Sequence, residues 1–204
     1  MRKIVISLGI GMSILLTGCA SYQANSLSAL NPEHVRTYEN MEGISIGCKA
    51  YTIEDCYSYL DRNVIAKGYQ PVQLTFYNQS DKSYLFSTKG VSLICASPEE
   101  VARTVHTSTA GRVTGYTLGG ILFLPVTFPL FIPAIVDGIK SSNANGALDT
   151  DFSVKAKDSF EIRPNSYSTT LVFVPKAHYA PIFELSLSDQ KTGESKVVAL
   201  SAAQ

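Results

Sequence analysis

Tryptophan is missing from this chain, histidine occurs three times and cysteine four, and 17 basic residues are balanced by 17 acidic ones. Each shortage excludes something. Without tryptophan there is no antibody-type domain, whose core packs a Trp against the inter-sheet disulfide. A balanced charge with no basic run argues against nucleic acid and against electrostatic capture by anionic lipid. His34, His106 and His178 stand far apart, with no H-E-x-x-H or H-x-x-E-H arrangement, and no G-x-S-x-G elbow is present. Gly9-Ile-Gly11 lies in the N-terminal apolar run, so no phosphate-cradling loop is left. The cysteines form no C-x-x-C pair, which removes the usual zinc spacing. Asp149 and Asp151, near Asp137, lack a calcium-loop pattern and read as a solvated helix face. The expectation is a protein without cofactor, metal site or catalytic centre.

What is present begins at the N-terminus. Met1-Arg2-Lys3 supplies two positive charges, Ile4 to Leu16 carries none, and Leu16-Thr17-Gly18-Cys19 closes the segment. A basic start, a short apolar stretch and small residues at the cut are the layout of a secretory signal. The apolar stretch is about 13 residues, short of the ~20 that a membrane-crossing helix needs.

The tetrapeptide Leu16-Thr17-Gly18-Cys19 resembles the lipobox of bacterial lipoproteins. That resemblance implies a diacylglycerol on the Cys19 sulfur, cleavage before Cys19 and acylation of its new amino group. Ala20, rather than Asp, follows the cysteine, which in such lipoproteins implies the outer membrane, periplasmic side. Residues 1–18 are then a signal peptide. Loss of Arg2 and Lys3 leaves 15 basic against 17 acidic residues in the mature chain, so membrane attachment is hydrophobic.

Cys48, Cys56 and Cys95 remain. In an oxidising periplasm they allow one bridge and one leftover thiol. Cys56 with Cys95 is the favoured pair, because each sits next to a helix start and the loop closed is long. Such a crosslink is worth roughly 4 kcal/mol on the chain-entropy model.

Residues 19–42 read as a lipidated N-terminus and tether, being polar, poor in large aliphatics and without period. Residues 43–204 read as one β-sandwich domain. Gly43 to Tyr51 is a first strand. A short helix follows, with Thr52 and Asp55 as a capping pair, Ile53, Tyr57, Leu60 and Val64 as its stripe, and Lys67-Gly68 as its stop. Pro71 to Tyr77 alternates Val72, Leu74 and Phe76 inward against Gln73 and Thr75 outward, a half-buried strand. Asn78 to Asp81 turns it into Ser83 to Phe86, and Gly90 to Cys95 continues the sheet. Further strands are expected at Phe160 to Ile162, Ser168 to Val174, Ile182 to Ser188 and Lys196 to Leu200, with turns at Pro164-Asn165 and Thr192-Gly193. Short strands at this spacing argue for an immunoglobulin-like β-sandwich, mainly β with an α insertion.

The insertion spans 97–157. Ser97-Pro98-Glu99-Glu100 is a strong helix start, with Ser97 as cap and Pro98 in the first turn, and the helix is expected to pass Val101, Val105 and Thr109. Gly111, Gly115 and Gly119 fall four apart as a strip for close helix packing. Between Arg112 and Asp137 stand 24 uncharged residues, VTGYTLGGILFLPVTFPLFIPAIV. Pro125, Pro129 and Pro133 argue against a spanning helix, each costing roughly 3 kcal/mol in a helix interior. They divide the segment into two arms of a hydrophobic helical hairpin with a bent tip at 121–133. The second arm follows a stripe through Ile132, Ile135, Val136 and Ile139 and continues past Asn143 and Asn145 to Phe152. Leu122, Phe123, Leu124, Val126, Phe128, Leu130, Phe131 and Ile132 are the candidate contact residues. Three uses compete: insertion of the tip into the leaflet that holds the Cys19 lipid, self-association or docking on an envelope partner, and packing back on the sandwich itself. A patch of this size is unusual on a monomer and calls for a cover.

Two further stretches, Asp55-Cys-Tyr-Ser-Tyr-Leu-Asp-Arg with Gly68-Tyr-Gln-Pro-Val, and Glu99-Glu-Val-Ala with Ile132-Pro-Ala-Ile-Val-Asp-Gly, are similar to uncharacterised lipoproteins of Gram-negative bacteria. That resemblance implies no activity. The expected function is a non-catalytic envelope lipoprotein that presents its hairpin to a membrane or a partner. The rival from another class is a lipid-anchored periplasmic hydrolase with a scattered Ser, His and Asp site.

Overall fold

Eight of the ten residues of one strand, Tyr69–Asn78, are buried, and the fold is arranged around that strand. The computed structural model describes residues 21–31, 38–41, 43–107 and 131–202, with the backbone alone at 38–41 and 131–140. It divides into two compact units, residues 1–22 with 106–148 and residues 23–105 with 149–204. The second holds the strands.

Those strands are β1 (Tyr38–Met41), β2 (Ile44–Ala50), β3 (Tyr69–Asn78), β4 (Tyr84–Ser87), β5 (Ser159–Ile162), β6 (Ser166–Pro175), β7 (Ile182–Asp189) and β8 (Ser195–Ser201). They form two four-stranded antiparallel sheets, ordered β1-β2-β3-β6 and β5-β4-β7-β8. One core serves both. Ile44, Ile46, Val72, Leu74, Phe76, Val172 and Val174 of the first sheet join Tyr84, Phe86, Ile162, Phe183, Leu185, Leu187 and Leu200 of the second. Phe76 and Phe86 of that core meet the partly buried Phe160, with ring centroids 5.0–5.9 Å apart, close enough for favourable tilted and edge-on contacts. The chain is therefore mainly β with a few helices.

The alternation read from Pro71 to Tyr77 places Val72, Leu74 and Phe76 correctly in that core. Its other half needs correcting. Gln73 and Thr75 are buried as well, because the opposite face of the first sheet is also covered. Part of the cover comes from residues 23–30, which the sequence assigned to a tether and which are hydrogen-bonded to the sheet. β1 likewise falls inside the segment taken as tether.

Helix α1 (Ile53–Leu60) carries the expected capping box, with Thr52 and Asp55 bonded reciprocally. It stops at Asp61, in the left-handed region at φ 50, earlier than the expected Lys67-Gly68. Its buried residues are Cys56 and Leu60, while Ile53 and Tyr57 of the expected stripe are exposed. Gly68 does end a turn, that of the 3-10 helix Ile65–Lys67, with φ 92.

Gly90 to Cys95 forms no strand. After a 3-10 turn at Thr88–Gly90, Val91 bridges Leu185, Ser92 exchanges hydrogen bonds with Glu184, and the adjoining Ala96 bridges Phe173. Helix α2 (Pro98–Thr104) starts as expected, Ser97 accepting from the Glu100 N–H, but ends before Thr109. Helix α3 (Phe131–Lys155) runs 25 residues and contains the expected second arm. Pro133 sits in its first turn, where no helical hydrogen bond is lost. Among the described residues no helix is long and apolar enough to cross a membrane.

Candidate functional site

Residues 23–30 lie as a strap on the outer face of the β1-β2-β3-β6 sheet. The Gln23 N–H donates to Asp61 Oδ2 at 3.0 Å and the Asn25 N–H to the Ser58 carbonyl at 3.0 Å. Further along, Gln73 Nε2 donates to the Ser28 carbonyl at 2.6 Å. The Leu30 N–H donates to Thr75 Oγ1, and the Leu30 carbonyl accepts from the Tyr77 hydroxyl, each at 3.1 Å. Successive outward residues of β3 thus take successive groups of the strap, which fixes its direction along β3. A polar row on a covered face has to be satisfied, or each orphaned group costs about 1–3 kcal/mol.

The row is also closed sideways. Gln73 Oε1 accepts from the Tyr51 hydroxyl at 2.9 Å, and Gln73 Nε2 also reaches Thr169 Oγ1 at 3.1 Å. Thr169 donates to the Leu74 carbonyl, and the two hydroxyls of Thr75 and Thr169 are 3.1 Å apart. Tyr77 stacks on the exposed ring of Tyr167, 6.1 Å between centroids, at the far end of β3 and β6.

The strap starts against the C-terminal end of α1. Asp61 there also holds Arg62, whose Nη1 is 2.7 Å from Asp61 Oδ2. On the first turn of α1, burial pushes the Asp55 carboxyl up, but hydrogen bonds from Lys49 and Thr52 outweigh it and hold it below the usual carboxylate range. Ile53 and Tyr57, four apart and so on one face, are 46 % and 56 % exposed. Two apolar side chains are left uncovered beside the place where the strap begins.

The stems of the insertion join the second unit at this same end of the sheet. Glu100 of α2 accepts from the Tyr69 hydroxyl at 2.7 Å. Phe152 of α3 stacks on Phe173 with centroids 5.4 Å apart. Lys155 Nζ, almost fully buried, donates to Asp151 Oδ2 at 2.5 Å and to the Tyr59 carbonyl of α1 at 2.6 Å. Asp151, expected on a solvated face, is in fact half of this ion pair. Within the other unit, Thr107 and Asn145 exchange two hydrogen bonds, Thr107 N–H to Asn145 Oδ1 at 2.9 Å and Asn145 Nδ2 to the Thr107 carbonyl at 3.1 Å. The two ends of the segment between them are clasped.

Of the residues singled out in the sequence, Cys19, Gly111, Gly115, Gly119, Leu122, Phe123, Leu124, Val126, Phe128 and Leu130 lie outside the described residues. Phe131 and Ile132 open α3. Cys48, Cys56 and Cys95 are free thiols here, with no bridge between Cys56 and Cys95. Cys48 faces the shared core and Cys95 packs against its edge, whereas Cys56 lies on the buried face of α1. Burial pushes the Cys48 thiol up to about 12 and the other two to about 11, so all three are protonated at neutral pH and poor nucleophiles.

Cys95 borders an open hollow of about 400 Å³ with Ser97, Lys89 and Asp158. No histidine lines it, and the nearby Asp158 charge adds to burial in raising that thiol. His178 is exposed in a 3-10 turn. Among the described residues no cluster of histidine, cysteine and carboxylate could hold a metal ion.

What sequence reasoning missed is the strap. A signal existed in Gln73 and Thr75, polar residues in a strand whose neighbours are all apolar, but its partners stand more than 40 positions away. No family model, curated protein or solved structure matches the chain.

Proposed function

We propose that this chain is a non-catalytic lipoprotein of the bacterial envelope. Lipid on Cys19 anchors it, at the periplasmic side of the outer membrane, and an immunoglobulin-like sandwich carries a hydrophobic hairpin that engages the membrane or a partner. The observation that carries the reading is the distance in sequence between the lipobox cysteine and the folded body. Only residues 20–22 separate Cys19 from Gln23, whose N–H is already bonded to Asp61. An anchor so short holds the body at the membrane rather than letting it range through the periplasm.

The strand order supports the immunoglobulin-like part. A sheet β2-β3-β6 facing a sheet β4-β7-β8, with β5 beside β4, is the Greek-key arrangement in which β5 has moved to the second sheet. The insertion then occupies the single connection between β4 and β5. The hairpin reading draws support from the Thr107–Asn145 clasp, which ties the start of that excursion to its return.

In cells, the Cys19→Ala variant is expected to accumulate as a precursor retaining residues 1–18, because the cut requires the lipidated thiol. Processing of the variant like the wild type would refute the lipoprotein reading. For the hairpin, the mature chain without lipid, starting at Ala20, is expected to float with liposomes or self-associate. Phe128→Ser with Phe131→Ser is expected to abolish this with the urea midpoint little changed. If the rings instead pack on the body, each truncation costs about 3–5 kcal/mol.

A further inference from the structure

We propose that helix α1 lies on the leaflet that holds the Cys19 acyl chains, with Ile53 and Tyr57 seated in its interface. This rests on the lipoprotein reading and adds which face of the domain meets the lipid.

The strap is fixed to the body at Gln23 and again at Asn25, both on the last turn of α1, through Asp61 and Ser58. From Cys19 to Gln23 there are four residues, which fully extended span about 14 Å. The C-terminal end of α1 is therefore held within that reach of the residue whose acyl chains sit in the leaflet.

The surface at that place fits the occupant. Ile53 and Tyr57 share one face of α1 and are about half exposed. Tyrosine suits a membrane interface, its ring apolar and its hydroxyl wet. Glu54 and Ser58 beside them are exposed and polar, which keeps the contact shallow, at headgroup depth rather than in the hydrocarbon. An eight-residue helix is about 12 Å long and can rest flat within the radius that the anchor allows. The opposite end of the sheet, at Tyr77 and Tyr167, lies eight β3 positions from Tyr69, about 26 Å away. It points away from the lipid.

The chain contains no tryptophan, so a single introduced one reports alone. The probe is the full mature, acylated protein reconstituted in phosphatidylcholine vesicles, with and without brominated acyl chains. Tyr57→Trp and Ile53→Trp are expected to emit at shorter wavelength in vesicles than in detergent-free buffer for the unlipidated chain. Both are expected to be quenched by brominated lipid at least about twofold more than Tyr167→Trp at the far end. Equal quenching at the three positions, or stronger quenching at 167, overturns the proposal, while vesicle flotation and the acyl mass of the same samples leave the lipoprotein reading standing. Samples that carry no acyl mass sink that reading, and the orientation with it.

Discussion

Tyr84 puts a phenol in the shared core, fully buried, with a hydroxyl that has no hydrogen-bond partner among the described residues. An orphaned buried hydroxyl costs about 1–3 kcal/mol, so Tyr84→Phe is expected to leave the urea midpoint unchanged or raise it. A loss above about 1 kcal/mol would show that the hydroxyl is bonded after all. Lys155 is the opposite case, a buried cation with two acceptors. Asp151→Ala strips it of its countercharge and is expected to cost about 2–3 kcal/mol, discounted because Asp151 is partly exposed. Lys155→Met, which removes the charge and keeps the apolar stem, is expected to cost less. If the order is reversed, the countercharge of Asp151 is not what makes the buried Lys155 tolerable. Acid stability follows from Asp55 and Asp189. Backbone N–H groups of Lys191 and Thr192 hold the Asp189 carboxyl below its usual range, and Lys49 and Thr52 overcome burial to do the same for Asp55. A carboxyl lowered in the folded state adds stability that is complete above its unfolded value, about 4, and is lost as pH falls through the folded value. The urea midpoint is expected to fall below about pH 4, and less steeply in Asp189→Asn. At this scale the Thr52–Asp55 capping box was legible because both partners are three residues apart. The burial of Gln73 was not, since its partners Ser28 and Thr169 are remote.

Strands were the most legible elements. β3, β6 and β7 fall within two residues of their expected limits, since alternation and flanking turns are local signals. Gly90 to Cys95 failed because two bridges to different sheets make its β-rich run a crossing rather than a strand. α1 starts where its capping pair predicts, and its expected stripe is half right: Leu60 and Val64 are buried, Ile53 and Tyr57 are exposed, and Cys56 completes the buried side. The strap was invisible to pattern, because a segment that bonds through β3 side chains needs no period of its own. It is open to measurement by hydrogen exchange. The Leu30 amide, bonded to Thr75, is expected to exchange more slowly than that of Ser28, whose N–H makes no such bond among the described residues. Thr75→Val removes the acceptor and is expected to speed Leu30 alone by about five- to tenfold, the worth of about 1 kcal/mol. Exchange of Leu30 as fast as that of Ser28 in the wild type would mean the strap is detached in solution.

In the molecule as a whole, three features gather at one end of the β1-β2-β3-β6 sheet: the first bond of the strap, the exposed face of α1 and the stems of the insertion. In sequence residues 23–30 and β6 stand far apart, and nothing in their spacing suggested that both meet β3. Long-range pairing of β3 with β6 and the seating of residues 23–30 on Gln73 bring that about. The account stands or falls on Cys19. The intact mass of the wild-type protein extracted from membranes tests it most directly, alongside Cys19→Ala. The expected result is a chain that begins at Cys19 and carries the added mass of its acyl groups, with the variant retaining residues 1–18 and no lipid. A mature chain with another N-terminus, or an unmodified Cys19, would contradict it.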